Sequence, residues 1–330
     1  MFVGYTRADW EAVGAKCARI CRHVGFGPGD SLLNLLGGGL WVGGPCFDLL
    51  ADVSGAALVN TGPTGPRQLF EWVPEMGITG LTATPSYLRL LVETAEAEGA
   101  ALGSWPLRLG FLGGEGASPE LRRQVCAAMP EQFVWQETYG STEVGGAILG
   151  YSPPLEPFSG HLNAATDEFV IELLHPDRDE PVQPGDVGEV TVTTFREASP
   201  LVRYRTRDLA AAVDAPRDAS GLPRMTAVVG RIDDALKVRG ALVYPSSIEE
   251  VLVARLAAGA EWRIVLRRDR AALDVLTVSV EAADDRSAER LASDLHQRLL
   301  VRPVVEVVPV GTFERFPGKA RRVLDERPED

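Results

Sequence analysis

The chain has 330 residues, of which 45% are hydrophobic and 24% charged, and a net charge of −13. Ordinary globular composition excludes intrinsic disorder, and the acidic balance excludes a chain built to hold nucleic-acid backbones, which requires clustered Lys and Arg. A pocket for a single nucleotide stays open, and the length calls for two or more lobes.

The first residues, MFVGYTRADW, carry no basic region followed by a long apolar run, so no signal peptide is read. Apolar residues at helical spacing predict a helix over Thr6–Val24, with Thr6 as N-cap and Gly25 as stop. Cys17 and Cys21 lie one helical turn apart near His23; with Cys46 and Cys126 they form no CxxC pair, so helix packing and a reduced, cytoplasmic chain are expected, without zinc. The most apolar stretch, about Leu32–Leu50, is broken by Asn34, Pro45, Asp48 and several glycines. It is a poor membrane span and reads as buried strand and loop.

Strands at Ser31–Leu36, Ala57–Asn60, Gly80–Ala83, Leu107–Gly113 and Phe133–Thr138 alternate with helices at Pro66–Glu75, Ser86–Ala97 and Ser118–Met129. That alternation predicts parallel βαβ units. From about residue 165 the texture turns β-rich, with strands at Phe169–Leu174, Gly188–Thr194 and Ala210–Val213. After Gly230 follow a helix at Ser246–Leu256, strands at Trp262–Leu266 and Val275–Glu281, a helix at Ser287–Leu300 and a strand at Val304–Val308. The expected fold is α/β: a large lobe, 1–229, with a parallel sheet and a β-rich subdomain at about 165–229, then a small, mobile α+β lobe, 230–330.

Five stretches carry chemistry. Gly113-Gly114-Glu115-Gly116 follows a strand and precedes a helix, where a backbone without side chains can approach a flat ligand or simply turn. Tyr139-Gly140-Ser141-Thr142-Glu143 ends another strand, the place where ligands gather in open parallel sheets. It offers an aromatic face, hydroxyl donors and a carboxylate suited to Mg²⁺, or else a polar loop around a packed tyrosine. Arg203-Tyr204-Arg205-Thr206-Arg207-Asp208 sets one carboxylate among three arginines, as a ribose acceptor or a paired edge strand. Gly230-Arg231-Ile232-Asp233-Asp234 is a glycine-flanked acidic turn at the lobe boundary, a hinge or an ordinary turn. Finally, Gly318-Lys319-Ala320-Arg321-Arg322 holds one of three lysines (Lys16, Lys237, Lys319) in a chain that otherwise uses arginine. A compact ammonium there suits a role that a guanidinium does not, although a solvated basic tail fits too.

In this order, the five stretches resemble the adenylate-forming superfamily, most closely its phenylacetate-CoA ligase branch, over nearly the whole chain. The resemblance implies ATP-dependent activation of a small, aromatic carboxylic acid as an acyl-adenylate and transfer to a thiol. CoA is the expected acceptor. The alternatives are a carrier-protein phosphopantetheine in secondary metabolism, or a catalytically impaired nucleotide-binding homologue. It implies that Gly114, Glu115 and Gly116 line the adenine pocket, that Tyr139 lies on the ring, and that Gly140 and Ser141 belong to the same nucleotide loop. Thr142 would contact the α-phosphate, Glu143 hold Mg²⁺, Asp208 bind the ribose and Arg231 reach ribose or phosphates. Asp233 would be the hinge, Lys319 would bridge carboxylate and α-phosphate, and Val238-Arg239-Gly240 would face the thiol acceptor. Trp41 and Tyr87 are candidate walls of the acyl pocket, or core residues. The implied ligands are ATP, Mg²⁺, CoA or phosphopantetheine, and a small acid; a homodimer is also allowed, with no nucleic acid or membrane partner.

Two departures stand out. The family's Ser/Thr/Gly-rich phosphate loop lies upstream of the stretch matching Val3-Gly4-Tyr5-Thr6, so the resemblance implies either a chain that lacks that loop and the helices before it or a start that lies further upstream than Met1. Downstream of Gly150 a family cysteine is absent, and His161 is expected to be structural or at a pocket edge.

Overall fold

The computed structural model describes residues 2–153, 156, 158–239, 241–256, 260–269, 273–282, 288–299, 301–313 and 322–327. It divides into two compact units, Met1–Val229 and Gly230–Asp330. Among the described residues no helix is long and apolar enough to cross a membrane.

The first unit opens with α1 (Arg7–Val24), closed at its start by a capping box between Thr6 and Asp9 and at its end by Gly25 in the left-handed region. Then come β1 (Ser31–Asn34), α2 (Gly43–Ser54), β2 (Ala57–Asn60), α3 (Pro66–Glu75), β3 (Gly80–Ala83), α4 (Pro85–Glu98), β4 (Leu109–Leu112), α5 (Pro119–Ala128) and β5 (Val134–Ser141). These strands run parallel in the order β2-β1-β3-β4-β5. Those inside the sheet are short apolar runs because helices cover both faces, and β3 and β4 are buried throughout.

The helix α2 corrects the reading of Leu32–Leu50 as strand and loop. Cys46, Phe47, Leu50 and Ala51 fall on one buried face while Asp48 and Asp52 lie off it. The glycines and Pro45 that suggested a loop occupy its first turn, where they cost least.

From β5 onward the sheet turns antiparallel: β6 (Gly146–Tyr151), β7 (His161–Ala164), β8 (Val170–Leu174), β9 (Val187–Thr193), β10 (Tyr204–Val213) and β11 (Arg224–Thr226), in the order β5-β6-β7-β11-β10-β9-β8. β10 begins at Tyr204, not at Ala210, so the arginine-rich stretch is strand. One core joins both halves: Cys17 and Ile20 of α1, Phe47 and Leu50 of α2, Phe111 of β4, Ile148 of β6, and Val190 and Val192 of β9.

The second unit contains β12 (Gly230–Arg231), the hairpin β13 (Leu236–Val238) and β14 (Ala241–Val243), α6 (Pro245–Val253), β15 (Trp262–Arg268), β16 (Asp274–Glu281), α7 (Ala288–Leu299), β17 (Val304–Val308) and β18 (Val323–Asp325). Its four-stranded sheet has the order β17-β16-β15-β18. Ile248 and Leu252 of α6 and Leu291 and Leu295 of α7 share a core with Ile264, Val278 and Val280 of that sheet. The mixed α/β class is as expected.

Candidate active site

The site of the first unit forms where the parallel strands give way to antiparallel ones, at the C-terminal end of β5. There the ladder with β6 loses register between Tyr139 and Ser141. Gly140 is obligatory at this bulge: a Cβ would sit 1.8 Å from the Gly146 carbonyl oxygen. A matching irregularity lies on β10, where the ladder with β9 shifts between Arg205 and Leu209 and Arg207 takes φ +68°. The buried Glu189 carboxylate fills that bulge, accepting from the Arg207 backbone N–H at 3.0 Å and from Arg205 Nε at 2.7 Å. The result turns Asp208 inward to 7% exposure, where its Oδ2 accepts a 2.8 Å hydrogen bond from the Tyr139 hydroxyl. Two bulges thus bring together two residues that are far apart in sequence.

Beyond Tyr139 the loop is chemically open. Among the described residues, the Thr142 hydroxyl and Glu143 carboxylate have no hydrogen-bond or ion-pair partner, and the Ser141 hydroxyl is buried without one. Buried polar groups are nearly always satisfied, so the buried Ser141 hydroxyl is an exception; beside it the half-buried Thr142 hydroxyl and Glu143 carboxylate are the kinds of group that phosphate oxygens and a hard cation take. The backbone of the same loop is fixed. The Thr142 carbonyl accepts from the Tyr5 hydroxyl at 2.9 Å and from the Gly145 N–H at 3.3 Å, and the Glu143 carbonyl accepts from Arg196 Nη2. The chemistry of this set suits ATP and Mg²⁺: the Ser141 and Thr142 hydroxyls could donate to phosphate, the Glu143 carboxylate could hold the metal, and the Asp208 carboxylate could accept from ribose hydroxyls.

The Gly113–Gly116 turn stands beside β5. Gly114 has φ +82°, and a Cβ on Gly113 would meet the Thr138 carbonyl at 2.7 Å. Glu115 is tied down, its Oε1 accepting from the Ser86 backbone N–H at 2.6 Å in the first turn of α4. Behind the turn, Arg122 of α5 forms a buried ion pair with Glu137 of β5 and donates to the Ala117 carbonyl at 3.2 Å. Burial pushes the Glu137 carboxyl above the usual carboxylate range while Arg122 opposes it.

A cleft of about 650 Å³ borders Thr142, lined by Tyr5, Thr6, Trp10, Leu40 and Val42 among others. Of the two acyl-pocket candidates, Trp41 is 43% exposed on the loop before α2, and Tyr87 is buried with its hydroxyl donating to the Thr64 carbonyl at 2.7 Å. His161 is half-buried on β7, with its Nδ1 unpartnered among the described residues.

In the second unit, Arg231 and Asp233 lie 3.8 Å apart with side chains 39% and 52% exposed. Val238 is buried in that unit's core, and Arg239 Nε donates to the Asp274 carbonyl at 2.8 Å. Gly240 and Lys319 lie outside the described residues. The sequence reading passed over Arg122 and Arg196, whose only signal is the charge itself; Tyr5 and Glu137 lay within or beside the motif stretches but were given no role.

The AMP-binding enzyme family matches residues 15–195, and the AMP-binding enzyme C-terminal domain matches residues 240–327. A phenylacetate-coenzyme A ligase of Thermus thermophilus is 32% identical over 98% of this chain and 78% of its own length. This chain belongs to the adenylate-forming enzymes, in their phenylacetate-CoA ligase branch. A second such ligase, from Escherichia coli, is 29% identical over 98% of this chain and 76% of its own. The crystal structure of a 2-hydroxyisobutyryl-CoA ligase in the postadenylation state, in complex with 2-HIB-AMP, superposes with a TM-score of 0.86. It is 26% identical and covers 98% of this chain and 71% of that one.

Proposed function

We propose that this member of the branch condenses a small carboxylic acid with ATP to an acyl-adenylate and passes the acyl group to the thiol of CoA. The observation that carries the reading is the run of unpartnered groups at Ser141, Thr142 and Glu143, set one bulge away from the Tyr139–Asp208 pair. A carboxylate attacking an α-phosphate must overcome repulsion between anions. Hydroxyl donors at Ser141 and Thr142 stabilise charge as it grows on the phosphate oxygens, and they do so without reorganising because the loop is already fixed. Asp208 orients the ribose, and Gly114 and Gly116 leave room for the adenine. Mg²⁺ held by Glu143 would add charge neutralisation. Lys319 bridges the attacking carboxylate and the phosphate in this reading, while Arg231, Asp233 and the Val238–Gly240 stretch serve the lobe exchange and thiol step. Aryl and arylacetic acids are the acid class assigned in this reading, with the exposed Trp41, next in sequence to Leu40 and Val42 of the cleft, as the candidate aromatic contact.

Carboxylate-dependent ATP–pyrophosphate exchange tests it, with a panel of benzoic, hydroxybenzoic, aminobenzoic and phenylacetic acids. Exchange with one acid, reduced on the order of 10²–10³ in Lys319→Ala, is the expected result. A thioester formed on adding CoA, and not with a phosphopantetheinyl carrier protein, fixes the acceptor. A folded protein that exchanges with no acid would sink the proposal.

A further inference from the structure

The Thr142–Glu143 peptide is held from outside its own hairpin, by two side chains that touch each other. Tyr5, just ahead of α1, donates its hydroxyl to the Thr142 carbonyl at 2.9 Å. Arg196, between β9 and β10, donates through one Nη2 to the next carbonyl, that of Glu143, and to the Ser199 carbonyl at 3.0 Å. The guanidinium lies 5.2 Å over the Tyr5 ring. Its Nε and Nη1 are buried without partners among the described residues, so the two carbonyls and the ring alone set its place. Both supports are themselves anchored. The Asp9 carboxylate accepts from the Thr6 backbone N–H at 2.9 Å, from that of Glu197 at 2.8 Å and from that of Ala198 at 3.1 Å, binding the start of α1 to the loop that carries Arg196. Gly4 N–H adds a 2.9 Å bond to the Ser199 hydroxyl.

We propose that Tyr5 and Arg196 are positioning residues that clamp consecutive carbonyls of Thr142 and Glu143 and thereby aim the phosphate-binding hydroxyl and the metal-binding carboxylate. The inference rests on the assignment of those two groups to phosphate and Mg²⁺. The clamp acts on the phosphate end of the site only; the nucleoside end is held separately by the Tyr139–Asp208 pair. Tyr5→Phe removes one donor and keeps the ring. Arg196→Ala removes the other donor and the stacked cation, and Arg196→Lys restores a cation with a single reach.

The test is calorimetric binding of adenosine and of MgATP to the whole chain, with Asp208→Ala as a control for the nucleoside end. Expected is a loss of about tenfold in MgATP affinity in Tyr5→Phe and in Arg196→Ala, the size of one well-placed hydrogen bond. Adenosine binding stays within about twofold, and Arg196→Lys recovers part of the loss. Two results overturn the clamp: MgATP affinity unchanged in both variants while the parent chain binds, or equal losses for adenosine and MgATP, which report general unfolding. A folded parent chain that binds neither ligand instead overturns the site assignment itself, and the clamp with it.

Discussion

The two units hold their motif residues differently. In the first, four motif residues are secured by a group remote in sequence: Glu115 by Ser86, Tyr139 by Asp208, Thr142 by Tyr5 and Glu143 by Arg196. In the second, Arg231 and Asp233 lie 3.8 Å apart with side chains 39% and 52% exposed, and Arg239 reaches a distant carbonyl, that of Asp274. A loop that is to stabilise growing charge must present fixed dipoles before the reaction begins, and these remote hydrogen bonds fix it. An exposed ion pair such as Arg231–Asp233 contributes little to stability by itself.

That contrast breaks first at Gly140. Gly140→Ala places a Cβ against the Gly146 carbonyl, so the β5–β6 bulge must open and carry Ser141 and Thr142 with it. Pyrophosphate exchange should fall by about 10²-fold, because a displacement near 1 Å costs that much; unchanged exchange would show that the bulge geometry is dispensable. The next effect is on stability. Arg122→Ala leaves Glu137 as a buried, uncompensated carboxylate and should cost about 3–5 kcal/mol in urea unfolding. Replacing both partners, Arg122→Met with Glu137→Leu, should recover most of that. Arg231→Ala in the second unit should shift the midpoint by no more than about 0.5 kcal/mol. Comparable losses from Arg122→Ala and Arg231→Ala would erase the distinction drawn between the units.

The smallest effect is set by pH. Asp9 is held at about 2, below its ordinary 3.8, chiefly by the Thr6 backbone N–H and then by those of Glu197 and Ala198. A carboxyl with a depressed folded value contributes stability that is complete above its unfolded value and is lost as pH falls through the folded one. The melting-temperature gap between the parent chain and Asp9→Asn should therefore be constant above about pH 4 to 5 and narrow toward pH 2. A gap that stays constant down to pH 2 would mean that the charge of Asp9 plays no part in tying α1 to the loop of Arg196.

Much of the architecture was legible in the sequence. The helix from Thr6, the buried runs of β3 and β4, and the glycine turn after β4 follow from capping residues, period and apolar content, all of which act within a few residues. Local pattern misled at α2, where glycines and a proline in a first turn mimic a loop; at β10 the arginine-rich stretch had an edge strand as one of its two readings, and the strand does begin there, at Tyr204. The five motif stretches were visible as sequence, and so was their resemblance to the adenylate-forming enzymes.

Only the tertiary structure decided how those stretches are held. Asp208 faces Tyr139 because two bulges re-aim their strands and the antiparallel half of the sheet brings β10 back to β5. Arg196 is one of many arginines until the β9–β10 loop is tied to Asp9 and reaches the Glu143 carbonyl. Hydrogen bonds between residues this far apart depend on sheet curvature and loop closure, which no short-range spacing encodes. The chain therefore spells out which groups its site contains, and the fold determines which of them remain free to meet a ligand.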